Sequence, residues 1–154
     1  MKISEIMTKA TVHDSADDTL SDAASRMWNS QTGSLLVMDG NNLLGIVTER
    51  DLLRAVAQGE DPKTVALKDV MRTDVITAGP QTTLKDAAKL MATKWIRHLP
   101  IVENGTVVGI VSQRDLTGVL AEALHEPDAL HKLVESSSLV REQRLKRIEA
   151  GDLD

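Results

Sequence analysis

The sequence predicts an α/β (α+β) fold: two β-α-β-β-α units in tandem, followed by a helical C-terminal tail. Three observations carry this prediction. The chain matches itself over a shift of 64 positions without a gap, from Met7 on Met71 through Leu52 on Leu116. Each copy holds one apolar stripe of helical spacing. Each copy also holds two continuous apolar runs separated by a tight-turn signal. The repeat divides the chain at 1–60, 61–124 and 125–154.

The elements follow in order. Thr11-Val12 and Val75-Ile76-Thr77 are short extended pieces. Thr19 and Thr83 each have an Asp three residues on, which suits a helix N-cap and first turn. Leu20, Ala23, Ala24 and Met27 then form an i, i+3, i+4, i+7 stripe, repeated as Leu84, Ala87, Ala88 and Met91. Residues 34–38 and 99–102 are buried-type strands. Asp39-Gly40-Asn41-Asn42 and Glu103-Asn104-Gly105 are hairpin turns leading to return strands over 43–47 and 106–111. Closing helices begin at Asp51 and Asp115, and residues 58–64 (QGEDPKT) are the polar linker. In the tail, Pro127 opens a new helical turn that Ala129, Leu130, Leu133 and Val134 continue. A charged helical extension runs through Leu139 and Arg141 to Ile148, and residues 151–154 fray.

Composition removes several functions. Lys+Arg is 18 against Asp+Glu 23, a net charge of -5, which argues against non-specific nucleic-acid binding. Two Trp and no Phe or Tyr disfavour a base-stacking platform. Without Cys there is neither a disulfide nor a thiolate metal site, and the four His lack metal-ligand spacing. No apolar run reaches the roughly 20 residues of a membrane span, and the first ten residues lack a signal peptide's apolar stretch. A soluble cytoplasmic protein is expected, with no cofactor and no catalytic constellation.

The block Gly-Ile-Val-Thr/Ser-x-Arg-Asp-Leu carries what chemistry there is. A strand ends at a hydroxyl residue and a helix with an early Asp begins. Free N–H groups at the helix start, a hydroxyl and a carboxylate suit a nucleotide's phosphate and ribose. Thr48 with Asp51, and Ser112 with Asp115, are the two such pairs. Helix capping accounts for the same spacing equally well.

The chain resembles the cystathionine-β-synthase (CBS) domain family, as a tandem pair or Bateman module, over residues 2–124. The matching features are Glu5-Ile6-Met7 and Asp69-Val70-Met71, the T-L-x-D-A-A helices, Leu99-Pro100-Ile101-Val102, and the G-I-V-T/S-x-R-D-L blocks. The resemblance implies two sheets packed about a pseudo-twofold axis, with two clefts for adenosine-containing ligands such as AMP, ADP, ATP or S-adenosylmethionine. Thr48 and Asp51 then serve one cleft, Ser112 and Asp115 the other. Basic residues at the positions of Arg97 and His98 contact phosphate in the family, which assigns the better phosphate site to the Ser112–Asp115 cleft. Lys94 is a weaker candidate. The strands holding Thr11, Val12, Ile76 and Thr77 take the family's adenine-edge position, with Ile110 as an opposite wall.

The expected function is therefore an adenine-nucleotide sensor or regulator, a homodimer through the apolar helix stripes, acting on an unidentified partner. Trp28 and Trp95 are expected at the pair or dimer interface. The rivals are an empty interaction module, an enzyme of the inosine-monophosphate dehydrogenase kind, and a nucleic-acid binder. Two repeats and a tail leave no room for a catalytic barrel of about 250 residues.

Overall fold

Each repeat builds its helices from capped starts and its sheet from a hairpin. The computed structural model describes residues 1–9, 11–123 and 141–151. A single 3-10 turn at Ile3–Glu5 precedes β1 (His13–Asp14), α1 (Leu20–Asn29), β2 (Ser34–Asp39), β3 (Asn42–Thr48) and α2 (Glu49–Ala57). The second repeat supplies α3 (Leu67–Val70), α4 (Leu84–Thr93), β4 (His98–Glu103), β5 (Thr106–Ser112) and α5 (Gln113–Ala123). Residues 141–149 form a further helix, α6. The tail helix expected from Pro127 through Val134 lies outside the described residues, as does the end beyond Gly151.

Thr19 caps α1 by accepting from the Asp22 N–H at 3.2 Å, and Thr83 caps α4 by accepting from Asp86 at 3.1 Å. The hairpins turn at Gly40 and at Asn104-Gly105, all with positive φ. β1 runs parallel to β2, and β2 runs antiparallel to β3. The second sheet pairs β4 with β5, and a single parallel bridge from Ala78 to Ile101 stands where the first repeat has β1. Each lead-in strand thus begins slightly later than the extended pieces at Thr11-Val12 and Val75-Ile76-Thr77.

The two repeats exchange their leading segments. Thr8 bridges to Ile110 on β5, and Arg72 bridges to Ile46 on β3. Ile3 packs into the core formed by Ala87, Met91, Leu99, Ile101 and Val111. Leu67 packs into the core formed by Leu20, Ala23, Met27, Leu35, Val37, Val47 and Ala55. The exchange is symmetric, as a pseudo-twofold axis requires, and it joins two small cores that would otherwise be marginal. Glycine makes the crossing possible. A Cβ on Gly45 would lie 2.9 Å from the Arg72 carbonyl oxygen, and one on Gly109 would lie 2.9 Å from that of Thr8.

The apolar helix stripes are mostly spent inside the repeats. Leu20, Ala23 and Met27 are buried, as are Ala87 and Met91, while Ala24 and Leu84 are half-buried and Ala88 is exposed. On the outer side of α1, Trp28 is 76% exposed. Trp95 is half-buried and lines a cleft to which both repeats contribute.

Candidate functional site

In each repeat the return strand stops at a hydroxyl residue in extended geometry and a helix starts at once. The first N–H of α2, from Glu49, donates to the Gly33 carbonyl at 3.1 Å, and that of α5, from Gln113, donates to the Arg97 carbonyl at 2.9 Å. The Thr48 N–H and Oγ1 donate to Asp51 Oδ2 at 2.7 and 2.9 Å. The Ser112 N–H and Oγ donate to Asp115 Oδ2, each at 2.7 Å. Both pairs are therefore capping boxes. The capping reading of the motif is realised twice, without a ligand.

A ligand is suggested by what surrounds the first pair. Asp51 is buried, and its Oδ1 accepts from Arg54 Nη2 at 3.1 Å; the same nitrogen donates to the Val70 carbonyl at 3.1 Å. Around this pair opens a cleft of about 270 Å³, near the lower end of the roughly 300–1,000 Å³ usual for small-molecule sites. Ile46, Met91, Ala92, Trp95 and Ile96 make its apolar wall. Thr48, Asp51, Arg50, Arg54, Arg72, Arg97, His98 and Gln113 bring polar groups to it. An adjoining recess shares Asp51, Arg54 and Arg72 and adds Val70, Ile76, Asp74, Lys94 and Arg147.

Arg97 and His98 line the cleft that holds Thr48 and Asp51, whereas the expectation placed them with Ser112 and Asp115. They reach it by packing across the twofold. Arg97 Nη2 reaches Glu49 Oε2 at 3.5 Å, and the space where Gly33 would carry a Cβ is 3.1 Å from the His98 ring. His98 also sits opposite Ser112 in the β4–β5 ladder, so it stands between the two motifs. Burial holds its pKa below the ordinary imidazole value. Arg97 and Arg114 push the same way, while Glu49 and Asp115 oppose them.

The other anticipated residues fall elsewhere. Ile76 lines the recess, with Lys94. Val12 packs on the first core while its carbonyl accepts from the Leu36 N–H at 2.9 Å; Ile110 exchanges both backbone hydrogen bonds with Thr8 at 2.9 Å. Thr77 is exposed, Thr11 is half-buried, and neither lines the cleft. The Ser34 hydroxyl, at the place matched to His98, is buried with no hydrogen-bond partner among the described residues. Reasoning from sequence missed Arg50, Arg54, Arg72, Trp95 and Arg147. Arg50 had a signal, since it recurs as Arg114 in the second block.

The CBS domain family matches the chain twice, over residues 3–58 and 67–122. The chain belongs to the CBS domain family. The CBS domain-containing protein YhcV of Bacillus subtilis is 38% identical over 115 residues, 74% of this chain and 81% of that one. The CBS-domain containing protein ATU1752 of Agrobacterium tumefaciens superposes with a TM-score of 0.74 at 27% identity, over 77% of this chain and 98% of that one. The CBS domain pair of protein MJ0100, in complex with 5′-methylthioadenosine and S-adenosyl-L-methionine, gives a TM-score of 0.72 at 25% identity, again over 77% and 98%. No described helix is long and apolar enough to cross a membrane, and no cluster among the described residues could hold a metal ion.

Proposed function

We propose that this CBS pair is a non-catalytic binding module that takes an anionic, adenosine-containing ligand in the Thr48–Asp51 cleft and passes its occupancy to a partner protein. One observation carries the reading. In a chain of net charge -5, Arg50, Arg54, Arg72 and Arg97 converge on one cleft beside a hydroxyl and a carboxylate. Guanidinium groups there would hold phosphate through charge-assisted, bidentate hydrogen bonds. Asp51 Oδ1, which accepts from Arg54, has one acceptor site left for a ribose hydroxyl, and the wall of Ile46, Met91 and Ile96 offers the apolar surface a purine needs. The adenosyl ligands of the MJ0100 pair support the class of ligand.

The cleft draws Arg97 and His98 from one repeat and Thr48 and Asp51 from the other, so a ligand would bridge the repeats. It could bias their mutual angle only by binding one arrangement more tightly. The rival reading, an empty module, draws on the capping boxes, which satisfy Asp51 and Asp115 without a ligand. A homodimer belongs to the proposal too. Its surface would be the exposed apolar residues Trp28, Leu53 and Val56 rather than the buried stripes, and light scattering would return about twice 16.8 kDa. Thermal shift against AMP, ADP, ATP, S-adenosylmethionine, NAD and GMP tests the binding claim, because a ligand of the folded state raises the melting temperature with concentration. Stabilisation by adenosine compounds is expected. No shift from any of them at millimolar concentration favours the empty module.

A further inference from the structure

We infer that the C-terminal helix α6 is the element that responds to occupancy of the cleft, with Trp95 as the residue that joins the two. This rests on the nucleotide reading above and adds where its signal is felt. Just beyond the end of α4, Trp95 has a φ of 56°, in the left-handed region. The Ile96 N–H closes this turn on the Met91 carbonyl at 3.0 Å. Gly or Asn is the ordinary residue at such a helix end, and a bulky ring is disfavoured. Gln31 takes the same place after α1, with a φ of 53°. Its side chain is exposed and donates to the Trp28 carbonyl at 2.7 Å, so the first repeat completes the turn locally. The second repeat instead puts a half-buried indole there, and that indole is a wall of the main chamber. Strain of this kind persists only where the surroundings hold it, and it gathers at ligand clamps and switches.

Trp95 also meets α6, which lies beyond both matched repeats. The Arg147 guanidinium stands 5.9 Å from the centroid of the indole ring, within the reach of cation–π attraction. Gln143 and Arg147, one helical turn apart, are the half-buried positions of α6, while Arg144 and Lys146 are exposed. The helix therefore docks by the face that carries Arg147. Arg147 lines the recess that shares Asp51, Arg54 and Arg72 with the chamber. One indole is thus a wall for the ligand and a seat for the helix. Ordering that ring costs rotamer freedom once, whichever contact forms first, so each contact makes the other easier. A ligand in the chamber also displaces water beside the ring, and cation–π attraction strengthens as water is removed. Both effects have one sign: the ligand holds α6 more firmly docked. That sign follows from the shared ring, whatever else Arg147 touches. Reciprocity then requires docked α6 to tighten the ligand by the same factor.

The test is hydrogen exchange over residues 141–149 of the full chain, without ligand and with saturating AMP or ATP, alongside calorimetry of both ligands. The proteins are wild type, Trp95→Gln, Arg147→Ala and Arg144→Ala. Trp95→Gln repeats the side chain that Gln31 shows to suit this left-handed turn, so the fold is kept. In wild type the bound nucleotide should slow exchange of α6 about three- to fivefold. Trp95→Gln and Arg147→Ala should each abolish that slowing, and Arg147→Ala should weaken the nucleotide by the factor that was lost. Arg144→Ala, which removes a charge from the exposed face, should change neither. If wild type binds the nucleotide and exchange of α6 is unchanged or faster, the coupling is overturned while the nucleotide site stands. Slowing that survives in Arg147→Ala or Trp95→Gln would overturn it equally. A wild-type protein that binds neither AMP nor ATP would overturn the nucleotide reading, and the coupling with it.

Discussion

Arg97 of the second repeat reaches Glu49 of the first, Nη2 to Oε2 at 3.5 Å, across the mouth of the Thr48–Asp51 cleft. Both side chains are half or more exposed, so the pair adds little stability, about 0–1 kcal/mol. Its importance lies in what it does with Arg97. In the proposed site, Glu49 would compete with a ligand's phosphate for the guanidinium. Glu49→Gln should therefore leave the urea midpoint nearly unchanged and tighten AMP binding several-fold. Weaker AMP binding in that variant would mean that Glu49 positions Arg97 rather than competing for it.

The two capping boxes are alike in geometry but not in surroundings. Asp51→Ala and Asp115→Ala should each lower stability by about 1–2 kcal/mol, through loss of the cap and unpaired N–H groups. Only Asp51→Ala should weaken AMP and adenosine at the cleft that holds Arg97, and it should weaken both alike, because they share the ribose. Denaturant unfolding and calorimetry on both variants check this. Equal loss of AMP affinity in the two would move the site toward the twofold axis.

Gly45 is needed where the lead-in segment of the second repeat crosses β3. An added Cβ would lie 2.6 Å from the Met71 sulfur, which can move, and 2.9 Å from the Arg72 carbonyl oxygen, which cannot. Gly45→Ala should cost about 1–3 kcal/mol as overpacking and weaken ligand binding by displacing Arg72. Gly109→Ala, against Met7 and Thr8, should cost a similar amount. A stability change under about 0.5 kcal/mol in either would show that the crossing gives way easily.

His98 should make both stability and binding depend on pH. Burial depresses its pKa, with Arg97 and Arg114 adding to burial and Glu49 and Asp115 opposing it. The unfolded chain, with imidazole pKa about 6.5, then holds more protons than the folded one just below that pH. Its contribution to stability is complete above about pH 6.5 and is lost as pH falls through the depressed value. A bound phosphate favours the charged ring, so AMP affinity should rise between pH 7.5 and pH 6 with proton uptake. His98→Gln should flatten both profiles. Unchanged slopes in that variant would assign the titration to another group.

The elements were largely legible in the sequence because their causes are local. Thr19 with Asp22 and Thr83 with Asp86 announce helix starts, and Asp39-Gly40 and Asn104-Gly105 announce hairpins. Which motif faces which was not legible, for a reason particular to duplications. A repeat is symmetric under exchange of its copies. Met71 beside Gly45 and Met71 beside Gly109 satisfy the same pattern, so the crossing of Ile3 and Leu67 into the opposite cores leaves no mark in the sequence. Placing Arg97 with Ser112 and Asp115 rather than with Thr48 and Asp51 follows from that degeneracy. Arg147 belongs to a charged run that alternates with Glu142 and Glu149, a pattern that a wholly solvated helix gives equally. Its cleft-facing position depends on how α6 docks, which composition does not encode.

The most direct test of the cross-repeat nucleotide site compares AMP with adenosine on wild type and Arg97→Ala by calorimetry. Deleting the phosphate from the ligand and the guanidinium from the protein closes a cycle that isolates their contact. The expected result is that Arg97→Ala weakens AMP about tenfold and leaves adenosine unchanged, since a hydrogen bond to a charged group contributes about 1.5–3 kcal/mol. Equal affinity for AMP and adenosine in wild type, with no effect of Arg97→Ala on either, would contradict the account.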